Sequence, residues 1–571
     1  MSNATHDEWG ITDGYFDVDG SWHPTTDDTR RRVGEAMGTP VPGPPLWFVV
    51  AGTVHPLWNA CRLELEDGSS HGPVNELPAD LPIGYHRLIP DDGGIATVLI
   101  VHPTSCPPLP RAWGATVQTY ALWSDRSWGI GDLGDLRTLG ASLYEAGGRV
   151  MLISPLHQPA PSIPQENSPY YPSSRRSWNP LLLAIDGEPS DDLRCAPDEL
   201  IDRDSAWIAK RGALESMFNA EIDADGDALS LPTIDGPIVW NALCDRFGSD
   251  WHDWPDGLDR FDEAAIVALV DQDRAFAKRL TFHAWCQAKV GEQLEEIAAT
   301  GISLIGDLAV GFSPTGADAW QYQDLLALDM RLGAPPDPFN AEGQEWGIPP
   351  FIPWRLRAEA YIPFVETIRA AFSGVHGLRM DHVMGLFRQF WIPAGSPASE
   401  GAYVTFPANE LIAIICIEAT RAGSFVVGED LGTVAEGVRE TLAAANIAAT
   451  KVLWFESEPP SEWPANSLAT LTTHDLPTVA GVLSGRDGDA DQHDRLVAAV
   501  IDIVGDVNDA SPRAVIAAAH QSLLGSPAAL RLVSMDDITA SEERPNHPGT
   551  LDKPNWRRRL PISVDNVLAP G

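Results

Sequence analysis

The sequence predicts an α/β protein built on a (β/α)8 barrel. Helical subdomains are inserted in the loops after strands 2 and 3, and a small β-sandwich-like domain precedes the barrel. Three observations carry this reading. The chain has 571 residues, too many for one ordinary domain but suited to a decorated barrel with a smaller partner domain. From about residue 111 onward, strand-like and helix-like runs alternate, as a parallel barrel requires. Three acidic segments, Arg379-Met380-Asp381-His382, Gly428-Glu429-Asp430-Leu431-Gly432 and Thr473-His474-Asp475-Leu476-Pro477-Thr478, each place a carboxylate where a strand should end. Carboxylates at the C-terminal ends of barrel strands converge on the face where such folds do chemistry.

In order along the chain, residues 1–44 hold a helical segment over about 26–37. Residues 45–110 change texture to short alternating strands, such as Leu46–Val50 and 97–101, broken by Asp-Gly and Gly-Gly turns, which reads as a small antiparallel sandwich. The Pro-rich stretch 103–110 is its linker to the barrel domain, 111–571. Eight barrel strands are expected at 116–122, 149–155, 302–308, 378–382, 425–429, 450–455, 469–473 and 530–535, with helices such as 133–146 and 433–445 between them. The connections 157–300 and 309–377 are too long for simple crossovers and must hold additional helices that roof one face.

With 39 Lys and Arg against 80 Asp and Glu, the net charge is −41. Such a surface repels polyphosphates and anionic membranes, which argues against nucleic-acid and membrane partners and leaves a neutral polymer as the compatible one. Lysine is confined to Lys210, Lys278, Lys289, Lys451 and Lys553. Six cysteines show no CxxC or metal-type spacing and read as reduced thiols. The first residues have neither a basic nor an apolar targeting region, and no run approaches the ~18 apolar residues of a membrane span. A cytoplasmic enzyme is expected, with no metal and no cofactor.

Converging carboxylates suit glycosidic-bond chemistry, which needs a nucleophile and an acid. Arg379 and Asp381, two apart on one strand, face the same way, and the cation keeps the carboxylate ionised, as a nucleophile requires. The alternative is a structural ion pair plugging the barrel. Glu429 follows the buried run 425–428; burial beside another carboxylate raises its pKa and makes it a general acid, whereas the competing role is capping the next helix. Asp475 can bind substrate hydroxyls with His474 assisting, or can simply form a turn before Pro477. Asp307 ends the third strand. Tyr170, in Ser168-Pro169-Tyr170, is placed to stack on the sugar being cut. Trp346 is the loop tryptophan expected to offer a sugar platform, with Trp123, Trp128, Trp178 and Trp354 left open.

These residues, together with Trp128-Gly129-Ile130-Gly131-Asp132-Leu133-Gly134, Gly306-Asp307-Leu308-Ala309-Val310, Gly333-Ala334-Pro335-Pro336-Asp337, Gly343-Gln344-Glu345-Trp346-Gly347 and Pro554-Asn555-Trp556-Arg557, resemble the amylomaltases. These are the bacterial 4-α-glucanotransferases (disproportionating enzymes) of glycoside hydrolase family seventy-seven, in the maltose-utilisation branch. The resemblance implies Asp381 as nucleophile, Glu429 as acid/base and Asp475 as transition-state stabiliser. It implies that Arg379, His474, Asp307 and Tyr170 hold the sugar at the cleavage point, and that Trp346 lies near the acceptor. It implies α-1,4-glucans and maltooligosaccharides as substrates and glucose as an acceptor. Retention predicts carboxyls of Asp381 and Glu429 about 5–5.5 Å apart. Pro338-Phe339 and Glu345 depart from the family pattern. The rival readings are an α-amylase-type hydrolase using water, and a non-catalytic glucan-binding protein.

Overall fold

The computed structural model describes residues 5–17, 20–224, 234–336, 342–432 and 434–568. Asp337, Pro338, Phe339 and Thr433 lie outside the described residues. Eight strands form one sheet: β1 (Ala112–Val117), β2 (Val150–Ile153), β3 (Ser303–Leu308), β4 (Gly377–Met380), β5 (Phe425–Gly428), β6 (Ala449–Val452), β7 (Ser467–Thr470) and β8 (Leu530–Ser534). Their order, β5-β4-β3-β2-β1-β8-β7-β6, is a rotation of the chain order. The last strand pairs in parallel with the first, from Leu530 against Ala112 to Ser534 against Thr116. Neighbouring first and last strands distinguish a barrel from an open sheet, so the fold is the expected (β/α)8 barrel. Strands β2, β4, β5 and β7 are buried along their whole length, which is why β2 and β5 run apolar instead of alternating.

One strand is displaced from its expected position. The run 116–122 reads as a strand, but β1 ends at Val117 and Thr119–Ala121 form a single 3-10 turn. The true strand begins with Ala112-Trp113-Gly114-Ala115, in which all but Trp113 are small residues of low strand propensity. Their smallness has a packing cause: a Cβ on Gly114 would stand 1.7 Å from the carbonyl oxygen of Val150 on β2.

The long connections hold the expected extra structure, but it is not all helical. After β2 come a two-stranded ribbon, His157–Gln158 with Ser174–Trp178, and four helices, Arg203–Ala224, Gly236–Phe247, Glu263–Gln272 and Arg274–Ala298. After β3, Met330–Ala334 and Gln344–Glu345 join Arg388–Pro393 and Ala402–Thr405, which follow β4, in a four-stranded antiparallel sheet.

Two compact units interleave in sequence: Met1–Pro108, Tyr322–Ser373 and His382–Ile447 make one; Leu109–Gln321, Gly374–Asp381 and Ala448–Gly571 make the other. In the first unit, helix Asp27–Met37 starts where Thr26 caps it, its side chain accepting from Thr29 N. The strands between 46 and 102 form a five-stranded sheet whose core, centred on Val49, Leu63, Leu77, Leu99 and Val101, comes from its own strands. It is mixed and not wholly antiparallel, because Leu46–Val50 runs parallel to Thr97–His102. All six cysteines are unpaired, and Cys106 and Cys416 sit 3.6 Å apart, sulfur to sulfur, in this unit's core.

Candidate active site

In the second unit, the parallel register sets Asp307 on β3 directly opposite Arg379 on β4. Both side chains are buried, and Arg379 Nη1 donates to both Asp307 oxygens at 2.6 and 2.8 Å. Its Nη2 donates to Asp381 Oδ1 at 3.0 Å, just past the end of β4. One guanidinium thus joins two carboxylates, with the charge-assisted geometry that makes such contacts strong. The ion pair expected as an alternative for Arg379 and Asp381 is present, Arg379 pairs with Asp307 as well, and Asp381 keeps 23% of its side chain exposed.

Tyr170 completes the link to the seventh strand. Its hydroxyl donates to Asp307 Oδ2 at 2.6 Å and lies 3.2 Å from His474 Nδ1. Its ring stacks on the His474 ring, with centroids 4.6 Å apart. Burial, reinforced by Asp307, pushes the phenol well above its usual range, so Tyr170 remains a neutral donor. His474 Nε2 stands 3.5 Å from Asp475 Oδ2, and Asn546 Nδ2 donates to Asp475 Oδ1 at 2.7 Å. Burial pulls the imidazole of His474 down, but Asp475 outweighs it and the net shift is upward. Burial pushes the Asp475 carboxyl up, yet His474, the Asn546 hydrogen bond and Arg379 bring it below the carboxylate range. The turn expected as the alternative for Asp475 is present, Leu476 N donating to Thr473 O at 3.2 Å, while the Asp475 carboxylate meets His474 and Asn546. Tyr170, Asp307, Arg379 and His474 line one cavity with polar side chains from the strand ends, among them Thr116, Gln118 and Thr472.

Glu429, in the first unit, follows β5 and is buried. Two backbone amides hold its carboxylate: His382 N donates to Oε2 at 2.9 Å and Leu431 N to Oε1 at 2.7 Å. His382 can aim its amide there because it adopts φ 45°, ψ 58°, a left-handed conformation uncommon outside glycine. Helix capping is not the role of Glu429, since the following helix starts at Val438 after Gly437. Trp346 lies edge-on to the His382 ring, with centroids 5.2 Å apart, and its indole donates to Gln344 Oε1 at 3.2 Å. Glu345 beside it is exposed.

Two residues with no role assigned from sequence join the second unit's cluster. Asn546 orients Asp475, and Trp556 packs against Tyr170 and His474 at 5.3 and 5.2 Å. Trp556 was marked only by its place in Pro554-Asn555-Trp556-Arg557; Asn546, in an irregular stretch after β8, carries no local signal. Trp123, Trp128, Trp178 and Trp354 are half-buried; Trp123 donates to Leu560 O at 2.8 Å, and the indole nitrogens of Trp128 and Trp354 are sealed from solvent. Among the described residues, no group of three or more His, Cys, Asp or Glu side chains is arranged to hold a metal, and no helix is long and apolar enough to cross a membrane.

Comparison with known proteins agrees with this chemistry. Residues 117–564 match the glycoside hydrolase family 77 model, described as 4-alpha-glucanotransferase. The chain is 37% identical over 560 residues to a 4-alpha-glucanotransferase of Mycobacterium tuberculosis, covering 84% of this chain and 76% of the relative. It is 33% identical over 481 residues to the 4-alpha-glucanotransferase of Haemophilus influenzae, covering 74% and 68%. Its fold is similar to the amylomaltase from Corynebacterium glutamicum, with a TM-score of 0.79 at 26% identity over 98% of this chain and 96% of that one. A family model matched over most of the length, on a barrel whose strand ends carry the expected carboxylates, establishes that the chain belongs to glycoside hydrolase family 77, the 4-α-glucanotransferases.

Proposed function

We propose that the protein moves α-1,4-glucan segments from a maltooligosaccharide donor to the 4-hydroxyl of an acceptor glucan or glucose, by double displacement with retention. Asp381 attacks the anomeric carbon as the glycosidic bond breaks, and the carboxylic acid of Glu429 gives its proton to the departing 4-oxygen. The acceptor 4-hydroxyl then returns a proton to the Glu429 carboxylate and displaces Asp381 from the same carbon. Two inversions leave the α-configuration unchanged. Asp475 and His474 bind hydroxyls of the reacting sugar and strengthen their hold as charge develops on the ring.

The observation that carries this reading is the Arg379 bridge. A guanidinium 3.0 Å from Asp381 favours its ionised form, and the same cation is anchored by Asp307, itself fixed by Tyr170. A nucleophile needs such a carboxylate: charged, oriented and still open to substrate. The two amides on Glu429 hold its oxygens in place for proton transfer.

The test is incubation with maltotriose alone, resolving products by length and counting reducing ends. A ladder of longer oligosaccharides plus glucose at constant reducing ends is the expected outcome. Rising reducing ends without longer products would show a hydrolase instead.

A further inference from the structure

The ribbon loop that carries Tyr170 also walls a second cavity, lined by Tyr120, His157, Glu166, Asn167, Asn179 and Arg203 among others. It encloses about 420 Å³ of space, part of it open to solvent. Arg203 is 7% exposed. Its Nη1 donates to Asn167 Oδ1 at 3.2 Å, and its guanidinium lies 4.8 Å over the Tyr120 ring. Among the described residues it forms no ion pair and no other hydrogen bond. A buried guanidinium has five N–H donors and is costly to desolvate without an anionic partner, so one amide oxygen and one aromatic face leave it under-compensated.

The surroundings deepen the imbalance. Glu166 favours the charged form from an exposed position, while Arg557 and Arg559 oppose it. Burial, the larger effect, pulls the guanidinium down to about 10. The acceptors of those two neighbours are neutral as well: Arg557 Nε donates to Ile201 O at 3.1 Å, and Arg559 to Glu199 O and Gly129 O, each at 2.7 Å. In a chain of net charge −41, Arg203 and its neighbours Arg557 and Arg559 bond to neutral oxygens, and the carboxylate that lines the cavity, Glu166, is exposed.

We propose that this cavity binds a phosphate group, free or carried on a small sugar, with the Nε/Nη2 edge of Arg203 as its bidentate donor. Nη1 is taken by Asn167, which leaves that edge as the planar fork matching two phosphate oxygens. The bound group also ties Arg203 more firmly to Asn167, three residues before Tyr170, and so stiffens the loop that presents the Tyr170 hydroxyl to Asp307. Occupancy therefore lowers KM for the glucan donor. That consequence rests on the role proposed above for Tyr170; the binding itself does not.

The experiment is calorimetric titration of the full-length protein with inorganic phosphate and, separately, glucose 1-phosphate, in phosphate-free buffer at fixed ionic strength. Saturable one-to-one binding is expected, at least tenfold weaker in both Arg203→Gln and Arg203→Lys; the second keeps the charge and loses the fork. Tighter binding of glucose 1-phosphate assigns the site to a sugar phosphate, and equal binding assigns it to free phosphate. Absence of saturable binding to the wild-type protein, or unchanged affinity in a folded Arg203→Lys variant, would overturn the site. If phosphate binds through Arg203 but the KM for maltotriose does not move, the loop-stiffening consequence falls and the site stands.

Discussion

Arg379 governs the charges around it because it faces two carboxylates at once, and its own burial makes each contact matter. Removing one member of a buried pair leaves the other charge without compensation, at about 3–5 kcal/mol. Arg379→Ala should therefore lose both stability and activity, whereas Asp381→Asn should lower kcat by about 10³-fold or more while leaving the fold intact. Glu429→Gln should cost about 10²–10⁴-fold in kcat, read by the same maltotriose assay. The His474–Asp475 pair gives a pH test. The imidazole pKa is raised above its unfolded value, so its stabilising contribution is fully present below that unfolded value and is lost as pH rises through the folded one. In Asp475→Asn only burial remains to act strongly, and the His474 titration followed by NMR should move below the usual histidine range. A titration unmoved by that change would show that the pair does not form in solution. The carboxylates were legible in the sequence because strand-ending acids stand next to apolar runs. Asn546 and Trp556 were not, because their partners, Asp475, Tyr170 and His474, are distant in sequence and their own segment has no periodicity.

Among the elements, the helices read over 133–146 and 26–37 lie where side chains cap their starts, whereas the one read over 433–445 begins only at Val438, after Gly437, which offers no capping side chain. Asp132 caps helix Leu133–Glu145 with a reciprocal bond from Asp135, and Thr26 caps Asp27–Met37. The first barrel strand was misplaced because what selects its residues is not propensity but the backbone of the neighbouring strand, seen at Gly114. Gly114→Val should destabilise the protein by about 3 kcal/mol, since the obstruction is the Val150 carbonyl and not a side chain that can rotate away. Chemical denaturation with an unchanged midpoint would show that the strands can part locally. The two strands of the connection after β3 escaped the sequence reading for a related cause. Gln344–Glu345 is only two residues long and pairs with Met330–Ala334, whose other partner follows β4, so no local alternation announces the sheet.

At the scale of the whole chain, a net charge of −41 means that folding brings like charges together. Salt screens that self-repulsion, with a Debye length of about 10 Å at 0.1 M and about 3 Å at 1 M. The thermal midpoint should rise between roughly 0.1 and 1 M KCl, and a midpoint that falls would mean that specific ion pairs outweigh the general repulsion. The pairing of β8 with β1 has a consequence for the ribosome. Strand β1 begins at Ala112 and its partner at Leu530, so roughly 420 residues of synthesis separate them, about 20–80 s at 5–20 residues per second. Throughout that interval the nascent chain presents an unpaired strand edge at Ala112–Val117, ready to join any other extended segment that reaches it. The yield of soluble protein is therefore set in part by how quickly the last forty or so residues emerge and by what shields that edge until they do.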